Sequence, residues 1–179
     1  SSTKNFRKEI YPDYKGPRMK RKPLGYRRLI NHCRTNYKYC IRPNLEADDA
    51  IGIDATMFNN PENIVVSPDK DMKQIPSVLW NMTDDVVEIT VEDGDRWHLI
   101  QTLSGDPTDG YSGCPGIGVK RATELLDRNE NKWEAVCKAF TDRGLSDDDA
   151  LLNARLAKIL RQEDYDLTNS QPILWNPKL

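Results

Sequence analysis

The stretch LSGDPTDGYSGCPGIGVKRA, residues 103 to 122, decides how the rest of the chain is read. It sets Asp106 and Asp109 beside Tyr111, and within a few residues a glycine-rich turn (Gly113, Gly116, Gly118) leads into Lys120 and Arg121. The two carboxylates would repel a polyanion. The turn suits one, because glycine lets backbone N–H groups approach a phosphate at the start of a helix. A divalent cation between the acids and the anion reconciles the two halves. The plain alternatives are an Asx-type turn for GDPTDG and a tight helix-capping turn for GIG. A dinucleotide-binding reading fails, since the glycines are not in G-x-G-x-x-G order after a buried strand and no acidic ribose ligand follows.

Two further acidic clusters lie upstream: Glu46, Asp48 and Asp49 in LEADDAIGIDATMF, and Asp69 and Asp71 after ENIVVS. Each falls at a helix start or strand end, the edge of an α/β sheet where ligands bind. Glu46 and Asp49 share a helix face with Asp48 close by, and Asp69 and Asp71 point to one side in an extended segment. Converging carboxylates either protonate or bind hard cations, and Mg²⁺ or Mn²⁺ suits all-oxygen ligands. Taken singly, each cluster also reads as ordinary helix-dipole complementation or a polar turn. Asp147, Asp148 and Asp149 need only N-capping before ALLNARLAKIL.

The 179 residues carry a net charge of -2, yet residues 1–42 hold 13 Lys/Arg against 2 Asp/Glu, a basic excess of 11 beside an acidic excess of 13 in the remainder. A basic block on an acidic body suggests a phosphate-binding surface, or more blandly a solvated basic face. No apolar run nears the roughly 18 residues of a membrane span and the start lacks a signal sequence, so a soluble intracellular protein without membrane partners is expected. Cys33, Cys40, Cys114 and Cys137 lack paired spacing, which fits a reducing compartment.

Periodicity predicts helices from Pro23 to about Asn36, over LEADDAIGIDATMF, from Glu92 to Thr102, over VKRATELLDR and NKWEAVCKAF, and through DDDALLNARLAKILRQED. Strands are predicted at YKYCI (37–41), ENIVVS (62–67), SVLWNM (77–82) and VVEIT (86–90). Alternating strands and helices point to an α/β fold with a mainly parallel central sheet, and the helical C-terminal half to a small lobe.

LEADDAI, SPDKDMKQI and GDPTDGYSGCPGIGVKRA, in that order and spacing, resemble the 5′-nuclease superfamily of flap endonucleases and 5′→3′ exonucleases, closest to the exonucleases of short-tailed bacteriophages. The resemblance runs over essentially the whole chain. It implies a PIN-like nuclease with a helical arch, residues 1–103 forming the C-terminal part of the metal-binding α/β domain and 104–179 a helix–hairpin–helix lobe with the C-terminal helix. It implies two-metal hydrolysis of DNA, or of RNA in RNA–DNA hybrids, at a free or flapped 5′ end of double-stranded DNA. Glu46 and Asp48 match ligands of one Mg²⁺ or Mn²⁺, Asp69, Asp71 and Asp109 those of the other, and Asp49 and Asp106 accessory acids. Lys15 matches the catalytic lysine, and Arg7, Arg18, Lys20, Arg21 and Lys22 belong to the basic arch that contacts phosphates. Tyr11 and Tyr14 either stack on a base or pack. Ser112, Gly113, Gly116, Gly118, Lys120 and Arg121 match the DNA-gripping hairpin, where backbone oxygens and Ser112 hold K⁺.

The family pattern has an apolar strand and two aspartates ahead of NFRKEI, so the resemblance also implies a complementing N-terminal polypeptide. The rival reading is a non-catalytic DNA-binding fragment or half of a split nuclease. A small-molecule phosphohydrolase would need neither hairpin nor basic block. The cellular setting implied is the cytoplasm of a phage-infected or prophage-carrying bacterium.

Overall fold

The computed structural model describes residues 4–16, 22–57, 63–83 and 85–177. Helix α1 (Phe6–Ile10) begins where the Asn5 side chain accepts the Arg7 backbone N–H, and α2 (Tyr26–Asn36) follows with no buried residue. Exposed apolar Leu29 on α2, and Tyr37, Tyr39 and Ile41 just after it, show that this helix and its exit stand off the body. The strand expected at 37–41 is absent, because side chains alternating on an extended segment form no strand without a neighbour to pair. Helix α3 (Ala47–Met57) then leads to the sheet.

Strands β1 (Ile64–Val66), β2 (Ser77–Trp80) and β3 (Val86–Ile89) lie in that order across the sheet. β1 and β2 run parallel, with Val65 beside Leu79, whereas β2 and β3 run antiparallel, with Leu79 opposite Val87. The expected mainly parallel sheet is thus corrected to a mixed one among the described residues. The link between Trp80 and Val86 is too short for a crossover, which leaves a hairpin. The 3₁₀ turn Lys70–Gln74 makes the connection from β1 to β2.

Helix α4 (Val91–Ser104) starts with a reciprocal cap between Thr90 and Asp93 and buries seven residues. It separates two cores. On the sheet side lie Val65, Met72, Ile75, Leu79 and Ile159; on the other, Leu103, Ile117, Leu126, Val136 and Phe140 join α4 to α5 (Val119–Asp127), α6 (Lys132–Thr141) and α7 (Asp147–Ala157). Ser146 and Asp149 cap α7 reciprocally, so the acid run forms the first turn of this helix and Asp149 serves as part of its cap.

The helix predicted to run through Asp164 stops at Ala157. Beyond it the Ile159 N–H goes to Gln74 Oε1 (2.9 Å) and the Leu160 N–H to Asp49 Oδ1 (3.2 Å), so side chains take donors that helical bonding would have used. Two-residue strands β4 (Tyr165–Asp166) and β5 (Gln171–Pro172) pair in the tail. Among the described residues no helix is long and apolar enough to cross a membrane.

Candidate active site

The first turn of α3 carries three acids that meet different surroundings. Asp49 is wholly buried. The Arg7 guanidinium donates to both its oxygens at 2.7 and 2.8 Å, and to the backbone carbonyls of Leu156 (3.0 Å) and Lys158. Asp49 also accepts the N–H groups of Glu46 and Leu160. Arg7 is only 3% exposed, with its donors committed inward. The expectation that Arg7 meets a DNA phosphate and Asp49 assists a metal is therefore corrected: the two form a buried pair that ties α1 to α3 and to the segment after α7. Fork geometry, rather than charge, selects arginine here.

Glu46 faces the other way. The Tyr14 hydroxyl lies 2.9 Å from Glu46 Oε2 and 3.1 Å from Asp109 Oδ2, so one phenolic proton serves two carboxylates. Lys15 Nζ bridges the same pair, contacting Glu46 Oε1 and lying 3.2 Å from Asp109 Oδ2. Burial would raise the Glu46 carboxyl, but Arg7, Lys15 and Tyr14 outweigh it and hold it below the ordinary value. Tyr14 is 2% exposed, which excludes stacking on a base from this position.

At Asp48 and Asp71 the balance goes the other way, although Lys70 Nζ lies 3.7 Å from Asp71 Oδ1. Burial, reinforced by Glu46, Asp69 and Asp49, pushes the Asp48 carboxyl up to about 6. Burial and then Asp69 raise Asp71, with Asp106 and Asp109 adding to the effect. Asp69 itself is exposed and caps the 3₁₀ turn through the Asp71 N–H (3.0 Å). Asp71 Oδ1 receives Gln101 Nε2 at 2.6 Å, and Gln101 in turn accepts from Gln74, whose amide also reaches the Ala157 carbonyl and the Ile159 N–H. This buried glutamine relay went unnoticed in the sequence, although a Gln inside the apolar run WHLIQTL was its visible sign.

The opening stretch forms one closed loop. Asp106 N–H donates to the Tyr111 carbonyl (2.9 Å), and Asp106 Oδ1 accepts from Thr108 and Asp109, so Asp106 chiefly shapes the turn that presents Asp109. Gly105 and Gly113, both at positive φ, cross so closely that a Cβ on either would come within 2.3 Å of the other strand's backbone. Beyond that neck, the Cβ positions of Gly116 and Gly118 face open space and α5 starts without a side-chain cap, which leaves backbone donors accessible to an anion. Ser112 and Lys120 are exposed, and Gly113 gives its N–H to Asn153 Oδ1 (3.0 Å).

Arg121 donates to the Gly116 carbonyl (2.7 Å) and Arg143 to the Pro115 carbonyl (2.6 Å). Two hairpin oxygens thus already accept from guanidinium groups of the chain, each with one lone pair remaining. Lys22 lies over the Tyr26 ring at 4.1 Å, whereas Arg18, Lys20 and Arg21 lie outside the described residues.

The acidic cleft has the chemistry of a hard-cation site: its donors are all carboxylate oxygens, and two of the carboxyls, Asp48 and Asp71, are raised by burial and then by neighbouring carboxylates. Among the described residues no three of these groups are yet drawn together tightly enough to hold an ion, and Lys15 stands between two of them.

Residues 1–96 match the family model "5′-3′ exonuclease, N-terminal resolvase-like domain". The chain is 32% identical to the exodeoxyribonuclease of Enterobacteria phage T3 over 213 residues, covering 97% of this chain and 70% of that protein. It is likewise 32% identical to the exonuclease of Escherichia phage T7, over 97% of this chain and 71% of that one. A bacteriophage T5 flap endonuclease solved as a pseudo-enzyme–product complex with DNA and metal ions superposes with a TM-score of 0.62 at 18% identity, over 87% of this chain and 71% of that chain. The fold is therefore the α/β fold of that nuclease, and on the family match and the phage relatives the chain belongs to the 5′-3′ exonuclease family.

Proposed function

We propose that this chain hydrolyses phosphodiesters of DNA with a free or flapped 5′ end, using two Mg²⁺ or Mn²⁺ ions and releasing 5′-phosphate products. The observation that carries the reading is electrostatic. Carboxylates from three separate segments, 46–48, 69–71 and 106–109, act on one another across one cleft, and a lysine is directed into it. Glu46 and Asp48 are assigned to one ion, and Asp69, Asp71 and Asp109 to the other. Bound there, the ions would supply an activated water and charge neutralisation at the departing 3′-oxygen.

The chain's own groups orient the substrate. The Gln74–Gln101 relay fixes Asp71, and Tyr14 fixes the separation of Glu46 and Asp109. Lys15 balances charge on the scissile phosphate. The open backbone at Gly116 and Gly118, with Lys120 beside it, grips the duplex, so that residues 104–179 act as the DNA-holding lobe and α2 with its basic approach as part of an arch. Cleavage of a 5′-labelled flap and a blunt duplex, with Mg²⁺ and with chelator, tests this. Equal cutting by wild type and Asp71→Asn, or cutting without metal, overturns it.

A second polypeptide segment is also proposed, on a separate observation. β1 pairs only with β2 among the described residues, and exposed Ile64, Val66, Trp80 and Val86 share one face of the sheet. An open strand edge beside an apolar face favours a complementing strand. Native mass spectrometry of a fully active monomer at the 20.5 kDa chain mass would rule it out.

A further inference from the structure

Lys15 is placed by unusual means. Its backbone adopts φ +54°, a region that costs a non-glycine residue about 1 kcal/mol or more. Its N–H donates to the Asp109 carbonyl (2.7 Å), while the Gly16 N–H closes the turn on Asp13 (2.8 Å). Gly110 at φ +86° lies against the Asp13 carbonyl, where a Cβ would sit 3.1 Å away. The turn that carries Lys15 is thus fastened to the loop that carries Asp109. Strain of this kind persists only where surrounding structure enforces it, and its result here is an ammonium between Glu46 Oε1 and Asp109 Oδ2.

All three side chains are only 15–16% exposed, so the contact is screened less by solvent than a surface ion pair. The chain itself thus supplies positive charge on the Glu46–Asp109 side, from Lys15 and, 3.6 Å from Glu46, from Arg7. Lys15 therefore holds one oxygen of a ligand assigned to each ion, Glu46 for the first and Asp109 for the second.

We propose that Lys15 is an internal counter-cation that competes with the two divalent ions for Glu46 and Asp109. On metal uptake its side chain leaves the two carboxylates while its backbone stays fastened at Asp109. The freed ammonium then stands beside the metal cleft, placed for a phosphate. Tyr14, which contacts the carboxylates without charge, stays and keeps their spacing. Metal binding and the ammonium–carboxylate bridge are thus linked, and each weakens the other by the same free energy.

This inference rests on the assignment of Glu46 and Asp109 as metal ligands, and its test separates the two claims. Mn²⁺ binding to the full chain without DNA is measured by electron paramagnetic resonance, for wild type, Lys15→Met, Lys15→Gln, Lys15→Arg and Asp71→Asn. Removing an opposing charge at contact distance corresponds to about one pKa unit or more, so Lys15→Met and Lys15→Gln should bind Mn²⁺ about tenfold more tightly. Lys15→Arg, which keeps the charge, should stay near wild type. Mn²⁺ should also raise the melting temperature of Lys15→Met by more than it raises that of wild type, a readout that follows folding directly. Equal or weaker Mn²⁺ binding in both neutral variants overturns the competition while leaving the metal site in place, provided that Asp71→Asn loses affinity. No Mn²⁺ binding in any protein overturns both.

Discussion

Behind α3, Asp49 is fully buried, hydrogen-bonded by a guanidinium and two backbone amides, and neutral as a pair. In front of it, Asp48 is half-buried, faces Glu46 and Asp69, and titrates near 6. The residues are consecutive in sequence, and a single turn of helix sends one into the core and one into the cleft. Satisfied charge holds the fold together, whereas unsatisfied charge is retained where a ligand can relieve it.

The comparison breaks most sharply at Asp49. Asp49→Ala strands the Arg7 charge in the core, and breaking a buried pair from one side costs about 3–5 kcal/mol. A fall in melting temperature of about 10 °C is expected on that basis. Replacing both residues, as Arg7→Met with Asp49→Leu, should cost less than Asp49→Ala alone, since no charge is then left without a partner. A loss under about 1 kcal/mol in the single variant would show that the pair is not a structural element.

Asp71→Asn should do the reverse: thermal unfolding within about 2 °C of wild type, but turnover on a labelled flap reduced at least about 100-fold. Gln101→Leu should fall between the two, with activity about tenfold lower, because it frees Asp71 without removing it. If Gln101→Leu is fully active, the relay is packing only.

The acids of the cleft could be read from the sequence because metal ligands in α/β proteins sit at strand ends and helix starts, so LEADDA, PDKD and GDPTDG marked themselves. Arg7 could not. Its place in NFRKEI looks like one more cation in a basic run, and only the fold brings Leu156, Lys158 and Asp49 around it. The same holds for Tyr14, whose role depends on Asp109 lying 95 positions away. Helices with strong local signals formed as expected. The end of α7 did not, because Gln74 and Asp49, remote in sequence, draw off its continuation.

Asp48 gives a smaller, pH-dependent effect. Its folded value of about 6 lies above the ordinary 3.8, so the charged form is the disfavoured one in the fold. The folded state then binds the proton first. As pH rises from about 4 to 6, this group lowers stability, and above 6 the penalty is complete. Asp48→Asn should therefore stabilise the metal-free protein at pH 7.5 by about 1–2 kcal/mol, discounted for the water that reaches this half-buried group, and the gain should vanish near pH 4. Chelator-treated melting curves at both pH values decide it. A gain that is equal at both would show that packing, not repulsion, is responsible.

The smallest effects belong to the hairpin, where the same contrast recurs with the sign reversed. Arg121 and Arg143 each give a guanidinium N–H to a backbone oxygen of the turn, while Lys120 is exposed beside an uncapped helix start. If the contrast holds, only Lys120 meets DNA as a free charge. Lys120→Ala should lower the slope of log affinity against log salt by about one, with a loss of a few-fold in duplex affinity at moderate salt. Arg143→Ala should leave that slope unchanged, because the residue acts on the loop rather than on phosphate. It should instead weaken binding equally at all salt concentrations, as the Pro115 carbonyl loses its partner and the turn loosens. Replacing K⁺ by Na⁺ at fixed ionic strength tests the remaining lone pairs of these oxygens, and a wild-type affinity within about twofold shows that the guanidinium groups suffice as their partners. A strong preference for K⁺ in wild type, combined with a lower salt slope in Arg143→Ala, would mean that the arginine faces the duplex and that the hairpin relies on an external cation after all.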